Sequence, residues 1–288
     1  MRRIALLPFL LLALALGLAA CGSDDDSATT SSAAAASTTA ADGARLSSDP
    51  LRVAATPVPH AEILQFVKDN LAQRAGLNLE IREFTDYVVP NTALDEGQVD
   101  ANYFQTPGYL EDQSRARGFD FVSVADVHIE PLGLYSKQLR SVDAIPDGAK
   151  IAIPNDAANE ARALRLLDAN GIIGLEDPES QTATPRDIAD NPHDLDFTEV
   201  EAAQTPRALD DVDLAVINGN YALEADLSPA DDALVLERAE GNPNVNLLVT
   251  TPDLQNDPRI VELARLLRSD EVRRFIEQKY RGAVIPAA

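Results

Sequence analysis

Ile153 to Leu167 reads IPNDAANEARALRLL, a stretch that states a strand, a break and a helix within fifteen residues. Ile151 to Ile153 close an apolar strand, with Pro154 as the breaker after it. Asn155 or Asp156 is suited to cap a helix, and the good helix formers of Ala157 to Leu167 follow. Gly171, after Asn170, is the expected stop. Asn159 and Arg162 are three residues apart in the first two turns, so they share a face. A guanidinium near a helix N-terminus places a fixed positive charge beside unpaired backbone donors, which suits a small carboxylate. The plainer reading is a solvated arginine beside an ordinary asparagine, and most arginines are exposed.

The same strand–turn–helix grammar runs outward in both directions. Leu51 to Ala55 is a short apolar strand. His60 to Arg74 follows as an amphipathic helix, with Ile63, Leu64, Val67 and Leu71 on one face and Gly76 as the stop. Leu77, Leu79 and Ile81 alternate as a second strand, and Pro90 opens a helical piece over 91–94. Further strands are expected at 121–124, 132–135, 150–153, 197–200, 214–217 and 244–249. Helices are expected to start at Thr184-Pro185, Thr205-Pro206, Asp257-Pro258 and Ser269. Alternation of strand and helix argues for parallel sheets covered on both faces. Two such series, split near 135–150, predict a two-lobed α/β architecture with a cleft at the strand ends. Residues 51–137 with 244–288 form the first expected lobe, and 138–243 the second.

The first fifty residues set the compartment. Arg2 and Arg3 precede an apolar run from Ile4 to Gly17, and Leu18 to Cys21 reads LAAC. That ending resembles a bacterial lipobox, which implies removal of 1–20 and acylation of Cys21. Cys21 is the sole cysteine, so no intrachain disulfide can staple the fold. Residues 21–50 are Asp, Ser, Thr, Ala and Gly with few bulky side chains, the composition of a disordered tether. A formal charge of −23 argues against nucleic acid or anionic lipid as a partner.

Chemistry-bearing residues gather at the expected strand ends. Tyr87 lies in FTDYVVPN, Phe84 to Asn91. Tyr103, Phe104, Thr106 and Tyr109 lie in DANYFQTPGYL, Asp100 to Leu110. In a chain with no tryptophan and 5% aromatics, this clustering suggests either an apolar slot with hydroxyls at its rim or plain core filling. Asn218 ends LAVI, and Asn246 interrupts the apolar NVNLLV. Each needs partners for several hydrogen bonds, from a ligand or from turn backbone.

Taken in order, LRVAATPVPHAEIL, FTDYVVPNTAL, DANYFQTPGYL, GLYSK, IAIPNDAANEARALRLL, DLAVINGNYA and NVNLLVT resemble the substrate-binding lipoproteins of methionine ABC importers, the NlpA/MetQ family. The resemblance covers nearly the whole of 51–288. It implies a type II periplasmic-binding-protein fold, two lobes closing on one amino acid, a permease and ATPase complex as partner, and no cofactor. It also implies that Arg162 pairs with the ligand carboxylate, and that Asn218 and Asn246, with Asn159 nearby, hydrogen-bond the head group. Tyr87, Phe104 and Tyr109 would surround the side chain. Thr106 stands where many members carry histidine, which leaves methionine less fixed than an amino acid in general. Another small amino acid or carboxylate is the alternative ligand. An enzyme on the same fold is the rival class. His60, His128 and His193 are scattered, however, and no G-x-S-x-G, P-loop or H-E-x-x-H is present. An adhesin would not need this asparagine–arginine–aromatic set.

Overall fold

The computed structural model describes residues 46–287; the expected leader, Cys21 and the tether as far as residue 45 lie outside the described residues. β1 (Leu51–Ala55), β2 (Leu79–Glu83), β3 (Ala101–Gln105) and β4 (Val122–Ile129) begin one sheet. The chain then crosses to a second, entering at β5 (Gly133–Tyr135) and β6 (Lys150–Pro154). A small ribbon of β7 (Gly174–Leu175) and β8 (Ile188–Asp190) precedes β9 (Asp196–Val200), β10 (Leu214–Ile217) and β11 (Ala233–Leu236). The chain returns with β12 (Val245–Thr250) and β13 (Ile285–Pro286). The orders are β13-β4-β12-β3-β1-β2 and β11-β5-β10-β6-β9.

Each sheet carries its own core. In the first lobe the helical run 57–75 ends at Gly76, whose φ of 72° is the left-handed turn anticipated there. Its Ile63, Leu64 and Val67 pack with Leu51 and Val53 of β1 and with the closing helices Pro258–Leu267 and Asp270–Tyr280. Each such aliphatic side chain, wholly buried, contributes about 1.5–3 kcal/mol. In the second lobe the helix Ala157–Ala169 lays Ala161, Leu164 and Leu167 against Ile151 and Ile153 of β6 and Leu214 of β10.

Three expectations change. The sheets are mixed: β12 runs antiparallel to β3 and β4, and β5 antiparallel to β10 and β11. A strand arriving from the other lobe needs no helical crossover, and its apolar residues carry no mark of direction. Second, Gly133–Tyr135, expected in the first lobe, pairs in the second sheet, so the crossings are 130–132 and 237–244. Third, Ala101–Gln105 is a fully buried strand that polar residues disguise. Asn102 and Gln105 are satisfied there by each other and by Asn91, at 2.8–3.0 Å.

Candidate functional site

Parallel strands end together, and their loops meet where the two sheets face each other. β3 delivers Phe104 and, one residue past its end, Thr106. β4 leads to Glu130, one residue past its end, β6 leads to Asn159 and Arg162, and β10 leads to Asn218. Because β12 is antiparallel, its beginning lies at this edge, with Leu247 opposite Gln105; that brings Asn246 in. Tyr87, Phe104, Thr106, Tyr109, Asn159, Arg162, Asn218 and Asn246 all line one cavity, whose empty space of about 330 Å3 includes open solvent at its mouth. Gln105, Glu130, Gly219 and Asn220, which carry no ligand signal in the sequence, line it too.

Asp156 supplies the helix cap: its carboxylate accepts the Asn159 backbone N–H at 3.0 Å and the Asn159 amide at 2.9 Å. The chain of donors that follows assigns the next amides. Asn159 Nδ2 donates to Asp156, so its Oδ1 accepts, and Asn218 Nδ2 donates to it at 2.8 Å. Asn218 Oδ1 is left buried with no partner among the described residues. Asn218 does not cap the helix Gly219–Glu224 with its side chain, so the turn reading gives way to a free acceptor on a residue that lines the cavity. Asn220 Nδ2 is likewise unpartnered, while its Oδ1 accepts the Tyr87 hydroxyl across the cleft. Buried polar atoms without partners are rare and call for an explanation.

Arg162 is 6% exposed, which removes the solvated-surface reading. Nε donates to Glu237 Oε1 at 3.0 Å, and Nη2 donates to Glu237 Oε2 and to the Glu130 carbonyl. Nη1 has no partner among the described residues. Opposite stand the aromatic rings: Tyr87 lies 5.8 Å from Phe104, 5.6 Å from Tyr109 and 4.9 Å from Tyr221. Tyr109 donates its hydroxyl to the Tyr87 carbonyl at 2.9 Å. Tyr221 was not anticipated, since DLAVINGNYA reads there as strand and turn.

Beneath the cavity, Glu130 Oε1 meets His128 Nε2 at 2.7 Å and His60 Nε2 at 3.1 Å. His60 Nε2 also reaches Asn246 Oδ1 at 2.9 Å. Each second ring nitrogen meets a hydroxyl, Thr56 at 2.7 Å for His60 and Tyr103 for His128. Donor atoms of His60, His128 and Glu130 converge within 4.8 Å, close enough to hold an ion. Yet two imidazoles donating from Nε2 to one carboxylate satisfy every one of these atoms, and the spacings are those of hydrogen bonds. Gly219 makes the approach possible, because a Cβ there would sit 2.8 Å from Glu130 Cβ.

Burial, opposed by the Glu130 carboxylate, pulls His128 down to about 4. Burial alone would raise Glu130, but His60 and His128 outweigh it and hold the group below the usual carboxylate range. Below pH 6.5 an unfolded His128 takes a proton that the folded one refuses, so its share of stability falls as pH drops from 6.5 towards 4. Acidification also relieves the repulsion of a chain at −23, so a variant must serve as reference. Wild type should lose up to about 3 kcal/mol relative to His128→Gln between pH 7 and 4. Parallel melting-temperature curves for the two proteins would refute the buried neutral imidazole.

Two mixed sheets closing on a cleft at their strand ends define the class: a two-lobed, type II periplasmic-binding-protein-like fold. The sequence model of the NlpA lipoproteins matches residues 51–288. The chain belongs to the NlpA lipoprotein family. The methionine-binding lipoprotein MetQ of Bacillus subtilis is 36% identical over 283 residues, 97% of each chain. The D-methionine-binding lipoprotein MetQ of Escherichia coli K12 is 39% identical over 227 residues, 78% of this chain and 82% of that one. A nutrient binding protein from Burkholderia cenocepacia, solved bound to methionine, superposes with a TM-score of 0.80 at 41% identity, covering 83% of this chain and 100% of that one.

Proposed function

We propose that the chain is the substrate-binding lipoprotein of an ABC importer, and that it closes on a free α-amino acid, methionine, and releases it to a permease and its ATPase. Cys21 carries the lipid that anchors it at an extracytoplasmic membrane face; among the described residues no helix is long and apolar enough to cross a membrane. The observation that carries this reading is the buried, unpartnered Oδ1 of Asn218, a residue that lines the same cavity as Arg162 and Glu130. A zwitterion completes both: its carboxylate accepts from Nη1 of Arg162, and its ammonium donates hydrogen bonds to Asn218 Oδ1 and the Glu130 carboxylate. Asn159 orients Asn218, and Asn246 completes the head-group wall. Tyr87, Phe104 and Tyr109 surround a thioether, whose sulfur is well matched to ring edges. No covalent step is involved; the ligand stabilises the closed state by its differential affinity for it. The names of the relatives support the ligand class.

Calorimetric titration of the delipidated protein with L- and D-methionine, beside mass spectrometry of what it carries after gentle purification, tests the reading. One-to-one binding of either enantiomer is expected. A protein that holds no amino acid and binds neither enantiomer would overturn it.

Thr106 lines both this cavity and a second pocket lined by Gly108, Glu111 and Arg165. Restoring the larger residue should narrow the slot. Thr106→His is expected to raise the preference for methionine over leucine by roughly 5- to 10-fold, since fit of this size is worth about 1–3 kcal/mol. An unchanged ranking of ligands would show that Thr106 does not set specificity.

A further inference from the structure

We propose that Glu237 is a positioning residue. Its carboxylate aims the Arg162 guanidinium at the ligand carboxylate and ties that guanidinium to both segments on which the lobes turn. The inference rests on the reading of Arg162 as the carboxylate clamp.

The chain passes between the sheets only at 130–132 and 237–244, among the described residues. Glu237 opens the second passage and touches the first. Its N–H donates to the Leu132 carbonyl at 2.8 Å, and its Oε2 accepts the Leu132 N–H at 3.2 Å. Oε1 accepts the Asn244 amide at 3.2 Å from the far end of its own segment. The same two oxygens hold Nε and Nη2 of Arg162 in a two-point fork. A fork of this kind fixes the plane of a guanidinium as well as its place. Nη2 spends its other bond on the Glu130 carbonyl at 2.9 Å, on the first passage. Nη1, on the remaining edge, has no hydrogen bond among the described residues, and Arg162 is among the residues that line the cavity.

An ordinary ion pair would do no more than stabilise the second lobe. A positioning pair does something different: it makes recognition of a carboxylate depend on the reach of the Glu237 side chain. Hinges are a few residues that absorb backbone change between rigid lobes. A side chain bonded to both of them couples the guanidinium's plane to closure.

The test compares L-methionine with L-methioninamide, which keeps the side chain and the amine and loses the carboxylate. Calorimetry on wild type, Glu237→Gln and Glu237→Asp gives the ratio of the two dissociation constants in each. Wild type is expected to favour the acid by about 100-fold or more, as a buried charge-assisted pair should. Glu237→Gln should cut that preference at least tenfold while moving the amide's own affinity less than about threefold. Glu237→Asp, which keeps the charge but not the reach and so protects the fold, should cut it as well. Equal losses for both compounds would reduce Glu237 to a structural role and overturn the proposal. So would an aspartate variant indistinguishable from wild type, because charge alone would then suffice. A wild type that binds methionine and its amide alike would overturn the clamp and this inference together.

Discussion

Arg162→Ala is expected to weaken methionine binding by roughly 100- to 1000-fold, since truncating one partner of a buried, hydrogen-bonded charge pair costs about 2–5 kcal/mol. The loss has two parts with the same sign. The ligand carboxylate enters a small cleft and finds no cation. Glu237, only 19% exposed at its side chain, keeps its charge without a counter-ion. The second part threatens the fold as well, because a buried ion left alone is costly. Two further proteins separate them. Arg162→Lys keeps a charge and loses the planar fork, and an intermediate affinity is expected from it. Arg162→Ala combined with Glu237→Gln removes the stranded charge; its ligand-free melting temperature should recover while its affinity does not. Calorimetry and thermal melts on the three proteins decide the matter. Wild-type affinity in any protein lacking Arg162 would remove the clamp.

Glu130→Gln is the second large effect, expected to weaken methionine binding by roughly 30-fold or more. Glu130 lines the same cavity as Asn218, whose Oδ1 is unpartnered, and Gly219 leaves room for it, since a Cβ there would sit 2.8 Å from Glu130 Cβ. An ammonium placed there meets one full charge and one neutral acceptor. The glutamine keeps the shape and one acceptor but loses the charge. It also presents an amide to imidazole N–H groups that need an acceptor, so some stability is lost too. Comparing methionine with 4-(methylthio)butanoate, which lacks the amine, isolates the electrostatic part. Wild type should prefer methionine strongly, and the variant should lose most of that preference. If the preference survives intact in a folded variant, the ammonium lies elsewhere in the cleft.

Much of this was legible in one dimension. Local signals set the helix after Pro154, its stop at Gly171 and the left-handed end at Gly76, because capping and chirality act over a few residues. The eight expected cavity residues were found partly by their positions at strand ends and partly through the family resemblance. Glu130 escaped notice because a glutamate before a proline looks like any loop residue; its meaning comes from His60 and His128, which are close only in space. Tyr103 shows the converse. Grouped with the slot aromatics, it instead turns its hydroxyl to His128 within the core.

By itself the sequence determined two lobes, the helix bearing Asn159 and Arg162, and an aromatic-rich edge facing it. Periodicity and caps are written in neighbouring residues, so they need no partner to be read. Strand direction, the move of Gly133–Tyr135 into the second sheet, the orphaned acceptor of Asn218 and the grip of Glu237 on Arg162 were decided only by the tertiary structure. Each depends on groups brought together across long separations, 75 residues for the Arg162–Glu237 pair, and hydrogen bonds and charges act on distance in space without regard to distance along the chain.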